Sequence, residues 1–209
     1  MAIGGKLVAF FGPDGTGKST TASLVEEICA DQGLTTYRYH WRPRVLPSLK
    51  TSNNASVDNT RPDELATRSW AVSFFNYVYF FLDFVLAYWT VFRPILNSGG
   101  IVIYERYYYD VLFHPRRYKL ERINALGFVL AKLVPKPDTI LLMHGDPQTI
   151  FCRKPELTID QISAQQDQMS QMLVKFGDVT FIDVSQNTKK ECAHQAFSAF
   201  CPNSNSQKR

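Results

Sequence analysis

The sequence predicts an α/β protein, a three-layer α/β/α sandwich with a five-stranded parallel sheet, and three observations predict it. Short apolar runs recur along the 209 residues, separated by stretches with apolar residues at helical spacing. The runs are apolar nearly throughout, as strands covered on both faces are. The first run passes through a glycine-rich turn straight into the first helical stretch.

The elements follow in order. Residues 6–11 (KLVAFF) read as a buried strand, and residues 20–30 as a helix with Ala22, Leu24, Val25 and Ile28 on one side. Residues 35–41 are the second strand, and 43–61, rich in Pro, Ser and Asn, are a loop over the substrate cleft. A long helix is expected over 63–92, closed by Pro94. The strand 101–104 follows Gly99-Gly100, and the helix 119–133 is stopped by Pro135 and Pro137. Residues 139–143 and 179–184 are the last two strands. Between them Thr158 and Gln161 form a capping box that starts a helix to about residue 175. A helix over 189–200 closes a single domain, residues 1–201, and 202–209 is a polar tail.

The turn after the first strand is Gly12-Pro13-Asp14-Gly15-Thr16-Gly17-Lys18-Ser19, the spacing G-x-x-x-x-G-K-S of a phosphate-binding loop between strand and helix. That motif makes the fold a P-loop NTPase. Its backbone N–H groups and the helix N-terminus, over Gly12, Asp14, Gly15, Thr16, Gly17, Lys18, Ser19 and Thr20, are expected to hold the phosphates of ATP. Lys18 neutralises the transferring phosphate, and Ser19 supplies a hydroxyl to Mg²⁺. The chain therefore binds a nucleoside triphosphate.

Two further segments carry chemistry. Glu105 and Arg106 stand where the strand 101–104 ends, which is where ligands sit in parallel sheets. Glu105 is expected in the Mg²⁺ shell and Arg106 on an acceptor phosphate. Residues 153–158 are a short basic lid whose Arg153 can meet charge on the transferring phosphoryl group.

Bulk properties narrow the classes. A net charge of +4 is mild and requires no nucleic-acid partner. Cys29, Cys152, Cys192 and Cys201 lie far apart without C-x-x-C spacing, reading as reduced thiols of a cytoplasmic protein, and no signal peptide is expected. Residues 70–92 are long and apolar enough to span a bilayer, but Ser73, Asn76 and Asp83 interrupt them and nearly half are aromatic. A core helix sharing its apolar side with a second subunit is the expectation, rather than a membrane span.

Taken together these segments resemble the thymidylate kinase family of P-loop nucleoside monophosphate kinases. The resemblance rests on residues 12–20, Trp41-Arg42-Pro43, Arg68, Glu105-Arg106-Tyr107 and the basic stretch at Arg153. It implies transfer from ATP·Mg²⁺ to a nucleoside monophosphate, most directly dTMP to dTDP. It also implies that Asp14 contacts the acceptor's sugar, that Arg42, Arg68 and Arg106 handle its phosphate and base, and that members pair as homodimers through long helices. Phe74 and Tyr107 are candidates to stack the base. Because Gly15 is not arginine, the resemblance assigns the catalytic arginine to the lid, hence Arg153 beside Lys18 and Arg106. The sequence departs from the family in Glu105 for aspartate and in Tyr108-Tyr109-Asp110 where a small hydroxyl residue is usual. It departs also in the missing glutamate-proline-glycine after Arg42, and in the basic run over residues 114–119. Other readings stay open: a P-loop kinase for another phosphorylated acceptor or a sugar, or a regulatory ATPase.

Overall fold

The computed structural model describes residues 4–47, 69–121 and 124–202. Five strands form one all-parallel sheet: β1 (Lys6–Phe11), β2 (Thr36–His40), β3 (Ile101–Glu105), β4 (Thr139–His144) and β5 (Val179–Asp183), in the order β2-β3-β1-β4-β5. The predicted fold is the observed one. Each strand lies within a residue or two of its expected bounds, and β1, β3 and β4 do so because a strand covered on both faces needs an unbroken apolar run.

The pleat divides these runs between two cores. Val8, Phe10, Ile101, Ile103, Leu141 and Met143 face α1 (Lys18–Asp31) and α8 (Lys189–Phe200). On the opposite face lie Leu7, Ala9, Phe11, Val102, Tyr104, Ile140 and Leu142. They are covered by α2 (Trp70–Ala87), α4 (Asp110–Phe113), α5 (Asn124–Leu133) and α7 (Ile159–Leu173). The short helices α3 (Arg93–Asn97) and α6 (Pro147–Arg153) complete the set. The capping box of α7 forms as expected, with Thr158 and Gln161 each bonded to the other's backbone.

The long helix differs from its expectation at both ends. Ser69 has extended backbone, so the helix begins at Trp70, and residues 63–68 lie outside the described region. Pro94 does not close it: the helix runs on to Asn97. Over Tyr88–Phe92 the hydrogen bonding widens to a π-turn, in which Arg93 N–H reaches the Tyr88 carbonyl. That shift puts Pro94 in the first turn of a new helical register, where its missing N–H costs nothing. The helix expected over 119–133 does not include residues 119–121 and is described from Asn124, with a single 3₁₀ turn at Pro115–Tyr118 before it.

The acid that interrupts the apolar helix has a structural use. Asp83 is fully buried, accepts from the backbone N–H groups of Arg44 (3.2 Å) and Leu46 (2.6 Å), and pairs with Arg42 at 2.9 Å. It anchors the segment after β2 onto α2, where Trp41 and Arg44 both adopt left-handed backbone. Trp70–Asn97 passes a length and hydropathy test for a membrane span. Its inward side, however, packs on the sheet and carries this ion pair.

Candidate active site

β1 ends between β3 and β4, so the phosphate loop emerges at the sheet's switch point, with the end of β3 on one side and of β4 on the other. Three glycines there take positive φ: Gly12 (140°), Gly15 (93°) and Gly17 (81°). At Gly12 a Cβ would come within 2.4 Å of the Met143 carbonyl oxygen, and at Gly15 within 3.1 Å of the Lys154 Cβ. Gly15 is thus pressed against the C-terminal turn of α6, which carries Arg153 and leads into Lys154. α1 begins with left-handed Gly17 and has neither a side-chain cap nor an acid in its first turn. Its N–H groups and dipole are left to an anion.

Lys18 is buried and donates to the carbonyls of Gly12 and Pro13, each at 2.8 Å. Burial lowers its pKa to about 8, with Arg106 and Arg117 acting in the same direction and Asp14 and Asp110 opposing them. Asp14 is the hub of the charge network. Its Oδ1 lies 2.6 Å from Arg106 and 3.5 Å from Lys18, and its Oδ2 lies 2.7 Å from Arg117. Burial alone would raise its pKa, but Lys18, Arg117 and Arg106 outweigh burial and hold it far below the carboxylate range. Arg106 reaches Asp14 from a left-handed backbone (φ 59°), the kind of strain that clusters at functional sites.

Ser19 donates its hydroxyl to Glu105 Oε2 at 2.5 Å, joining the phosphate loop to the end of β3. A hydroxyl and a carboxylate beside a phosphate seat are hard oxygen donors that suit Mg²⁺. Among the described residues no group of three or more His, Cys, Asp or Glu forms a self-sufficient metal site, so a cation here would need the phosphates as ligands.

Two clefts meet at this loop. One, of about 470 Å³, runs from Gly15, Gly17 and Thr20 to Val184, Asn187 and Thr188 at the end of β5 and the start of α8. The other, of about 280 Å³, is lined by Asp14, Lys18, Ser19, His40, Glu105 and Arg106. Gly15, Gly17, Thr20 and Arg153 line both. Arg153 is steadied by donating to the Val184 carbonyl at 3.0 Å.

Other expected site residues lie elsewhere. Arg42 is turned onto Asp83 and donates to the Leu46 carbonyl at 2.9 Å, so its guanidinium is engaged at α2 rather than at an acceptor phosphate. Tyr107 is fully buried, with its ring edge-on to Phe84, Tyr104 and Tyr109 and its hydroxyl on the Pro135 carbonyl. A ring with no exposed face cannot stack a base, which corrects its assignment. Phe74 stacks on Trp70 and lies edge-on to Phe75, both on its own helix. Arg68 lies outside the described residues.

Two side chains at the site were not singled out from the sequence. Arg38 binds Glu105, and His40 lines the smaller cleft, with burial and then Arg106 holding its pKa below the ordinary histidine value. Arg117 belongs to the basic run 114–119, whose basic residues are expected near the acceptor side, and it lies on Asp14.

No protein-family model matches the sequence, and no curated protein matches it. Solved structures do match. Thymidylate kinase from Ehrlichia chaffeensis aligns with a TM-score of 0.54 at 15% identity, over 93% of this chain and 98% of that one. Thymidylate kinase from Candida albicans aligns with a TM-score of 0.59 at 19% identity, over 93% of this chain and 90% of that one. The chain has the fold of the thymidylate kinases. At these identities the likeness speaks for the fold, and it spans nearly the whole of both partners.

Proposed function

We propose that the protein is a divergent member of the thymidylate kinase family that transfers a phosphoryl group from ATP to a nucleoside monophosphate, with dTMP the first candidate. The observation that carries this reading is the pair of clefts sharing Gly15, Gly17, Thr20 and Arg153. A regulatory ATPase needs one nucleotide cleft, whereas a kinase needs a donor cleft and an acceptor cleft that meet at the phosphate loop. The larger cleft takes the donor. The smaller takes the acceptor's phosphate end at Asp14 and Arg106. Lys18 and the first-turn N–H groups of α1 bind the donor phosphates, Ser19 and Glu105 would hold Mg²⁺, which would offset phosphate charge, and Arg153 meets charge developing on the transferring group.

Arg106 and Arg117 both lie on one carboxylate, a charge density that favours an anionic acceptor over a neutral sugar. The Candida albicans kinase is described as having broad substrate specificity, so acceptors belong in a panel rather than a single assay. ADP release from ATP·Mg²⁺ should depend on an added nucleoside monophosphate, with dTMP among the most active. Release independent of every acceptor would favour the ATPase reading, and release driven by a neutral sugar the sugar-kinase reading. The same acceptors should raise Tm in the presence of ADP. Saturation at one hundred times Kd adds roughly 2.7 kcal/mol.

The long helix adds a proposed partner, a second copy of this chain. Phe75, Leu82, Leu86 and Trp89 are exposed along one side of α2 and its continuation, and Val129 and Leu133 are exposed on α5, which packs against α2. A kinase that handles soluble nucleotides and pairs through this face fits a cytoplasmic location.

A further inference from the structure

The proposed reading puts Glu105 beside the cation, and a residue outside that reading controls how Glu105 meets it. Arg38 lies in the middle of β2, opposite Ile103. Glu105 is two residues further along β3, so it shares the face covered by α1. Nε and one terminal nitrogen of Arg38 both donate to Glu105 Oε1, at 2.8 and 2.5 Å. The same guanidinium is tied to α1 by the Ser19 carbonyl (3.0 Å), the Ser23 hydroxyl (2.7 Å) and Glu26 (3.1 Å). The remaining oxygen of Glu105, Oε2, accepts from Ser19. Both oxygens of this nearly buried carboxylate are therefore committed, one to a cation of the protein and one to the hydroxyl of the phosphate loop.

A carboxylate already neutralised by a guanidinium attracts a divalent cation less. A hydroxyl that gives its hydrogen to a carboxylate keeps its lone pairs for a metal. We infer that Arg38 is a positioning residue that holds Glu105 out of direct coordination, so that Glu105 acts on the phosphate-bound cation through the Ser19 hydroxyl. The inference rests on the nucleotide-kinase reading. A purely structural Arg38, a strut between β2 and α1, would make a different prediction. Its loss would loosen the site and weaken cation binding, whereas loss of a positioning Arg38 frees Glu105 to turn onto the cation and strengthens it.

The test is Mn²⁺ binding in the presence of ADP, followed by the electron paramagnetic resonance of free Mn²⁺, alongside kcat. Arg38→Met is expected to bind Mn²⁺ about tenfold more tightly while kcat falls about tenfold. In a Glu105→Gln background, which has no carboxylate to release, Arg38→Met should leave Mn²⁺ affinity unchanged. An Arg38→Met protein with equal or weaker Mn²⁺ affinity, or with the same gain in the Glu105→Gln background, overturns the inference. Should Arg38→Met fail to fold, Arg38→Lys carries the test. One ammonium cannot give two N–H groups to Oε1, so a rise of about threefold is expected and parent-like affinity overturns it. A parent protein that binds no Mn²⁺·ADP overturns the nucleotide reading itself, an outcome distinct from any seen only in the variants.

Discussion

The guanidinium of Arg117 lies 2.7 Å from Asp14 Oδ2, across 103 residues of chain, while Arg106 takes the other oxygen at 2.6 Å. One carboxylate of the phosphate loop thus holds two guanidinium groups, with Lys18 alongside at 3.5 Å. On the proposed kinase reading, an acceptor phosphate would compete with Asp14 for both, with the carboxylate holding the two guanidinium groups together in its absence.

Asp14→Asn should therefore destabilise the protein by roughly 3 kcal/mol, because mostly buried cations lose their counter-charge. For a domain of this size that lowers Tm by roughly 5–10 °C. Sulfate or phosphate should restore Tm in the variant far more than it raises the parent's, since the anion takes the place of the carboxylate. Equal responses of the two proteins to sulfate would mean that Asp14 is not what holds these cations together.

Lys18 gives a pH dependence whose sign can be worked out. Its folded pKa of about 8 lies below the ordinary lysine value of 10.5, because burial disfavours the charged form. Between those pH values the unfolded chain holds the proton more firmly than the folded one. The stability of the nucleotide-free protein from this group therefore rises as pH climbs from 8 to 10.5, and below pH 8 the full cost of the buried charge is present. Bound phosphates reverse that cost and draw the proton back. ADP binding at pH 9 should take up a large fraction of a proton, seen as a buffer-dependent calorimetric enthalpy, and affinity should fall as pH rises above 8. Binding at pH 9 without proton uptake would remove Lys18 from the phosphate site. Lys18→Ala, with its fold intact, should lack measurable phosphoryl transfer. Turnover within about tenfold of the parent would sink that assignment.

How far the sequence reached depended on whether a property was local. Strands at 6–11 and 101–105 were legible because burial on both faces demands a continuous apolar run. The glycine turn between β1 and α1 was legible because its spacing demands positive φ at Gly12, Gly15 and Gly17. Glu105 was expected at a strand end, and it ends β3 with Ser19 against it. Side-chain partners were not legible. Arg42 looks like a phosphate ligand until Asp83 is known to face it from α2, and Arg117 looks like a solvated helix start until Asp14 is known to face it. Tyr107 was misassigned because aromatic residues after a strand suit a base shelf and a core equally well; only the packing of Phe84 decides. Pro94 misled because a π-turn absorbs what a regular helix cannot.

Arg153 stands on the wall common to both clefts, and Gly15 presses against the neighbouring Lys154 without any arginine of its own. Arg153→Ala should lower kcat on the order of 10²-fold while KM for ATP changes little, the signature of a contact made in the transition state. A rise in KM with kcat unchanged would make Arg153 a donor-binding residue. Lys154 or Arg106 would then be the better candidate for stabilising transition-state charge.

The exposed face of the long helix gives the last expectation. Phe75, Leu82, Leu86 and Trp89 fall within a narrow arc at 100° per residue, and each is at least 40% exposed in the single chain. Contiguous exposed apolar stripes of this kind mark interaction surfaces more often than single scattered residues do. A two-fold pairing would cover it with the same stripe of a second copy, since an isologous interface uses one patch twice. Leu86→Glu combined with Trp89→Glu places four like charges across such an interface and should yield a monomer by light scattering where the parent is a dimer. The exchanged side chains are exposed, so the monomer should keep its fold by circular dichroism. A parent that is already monomeric at micromolar concentration would remove the second copy as the occupant of this face.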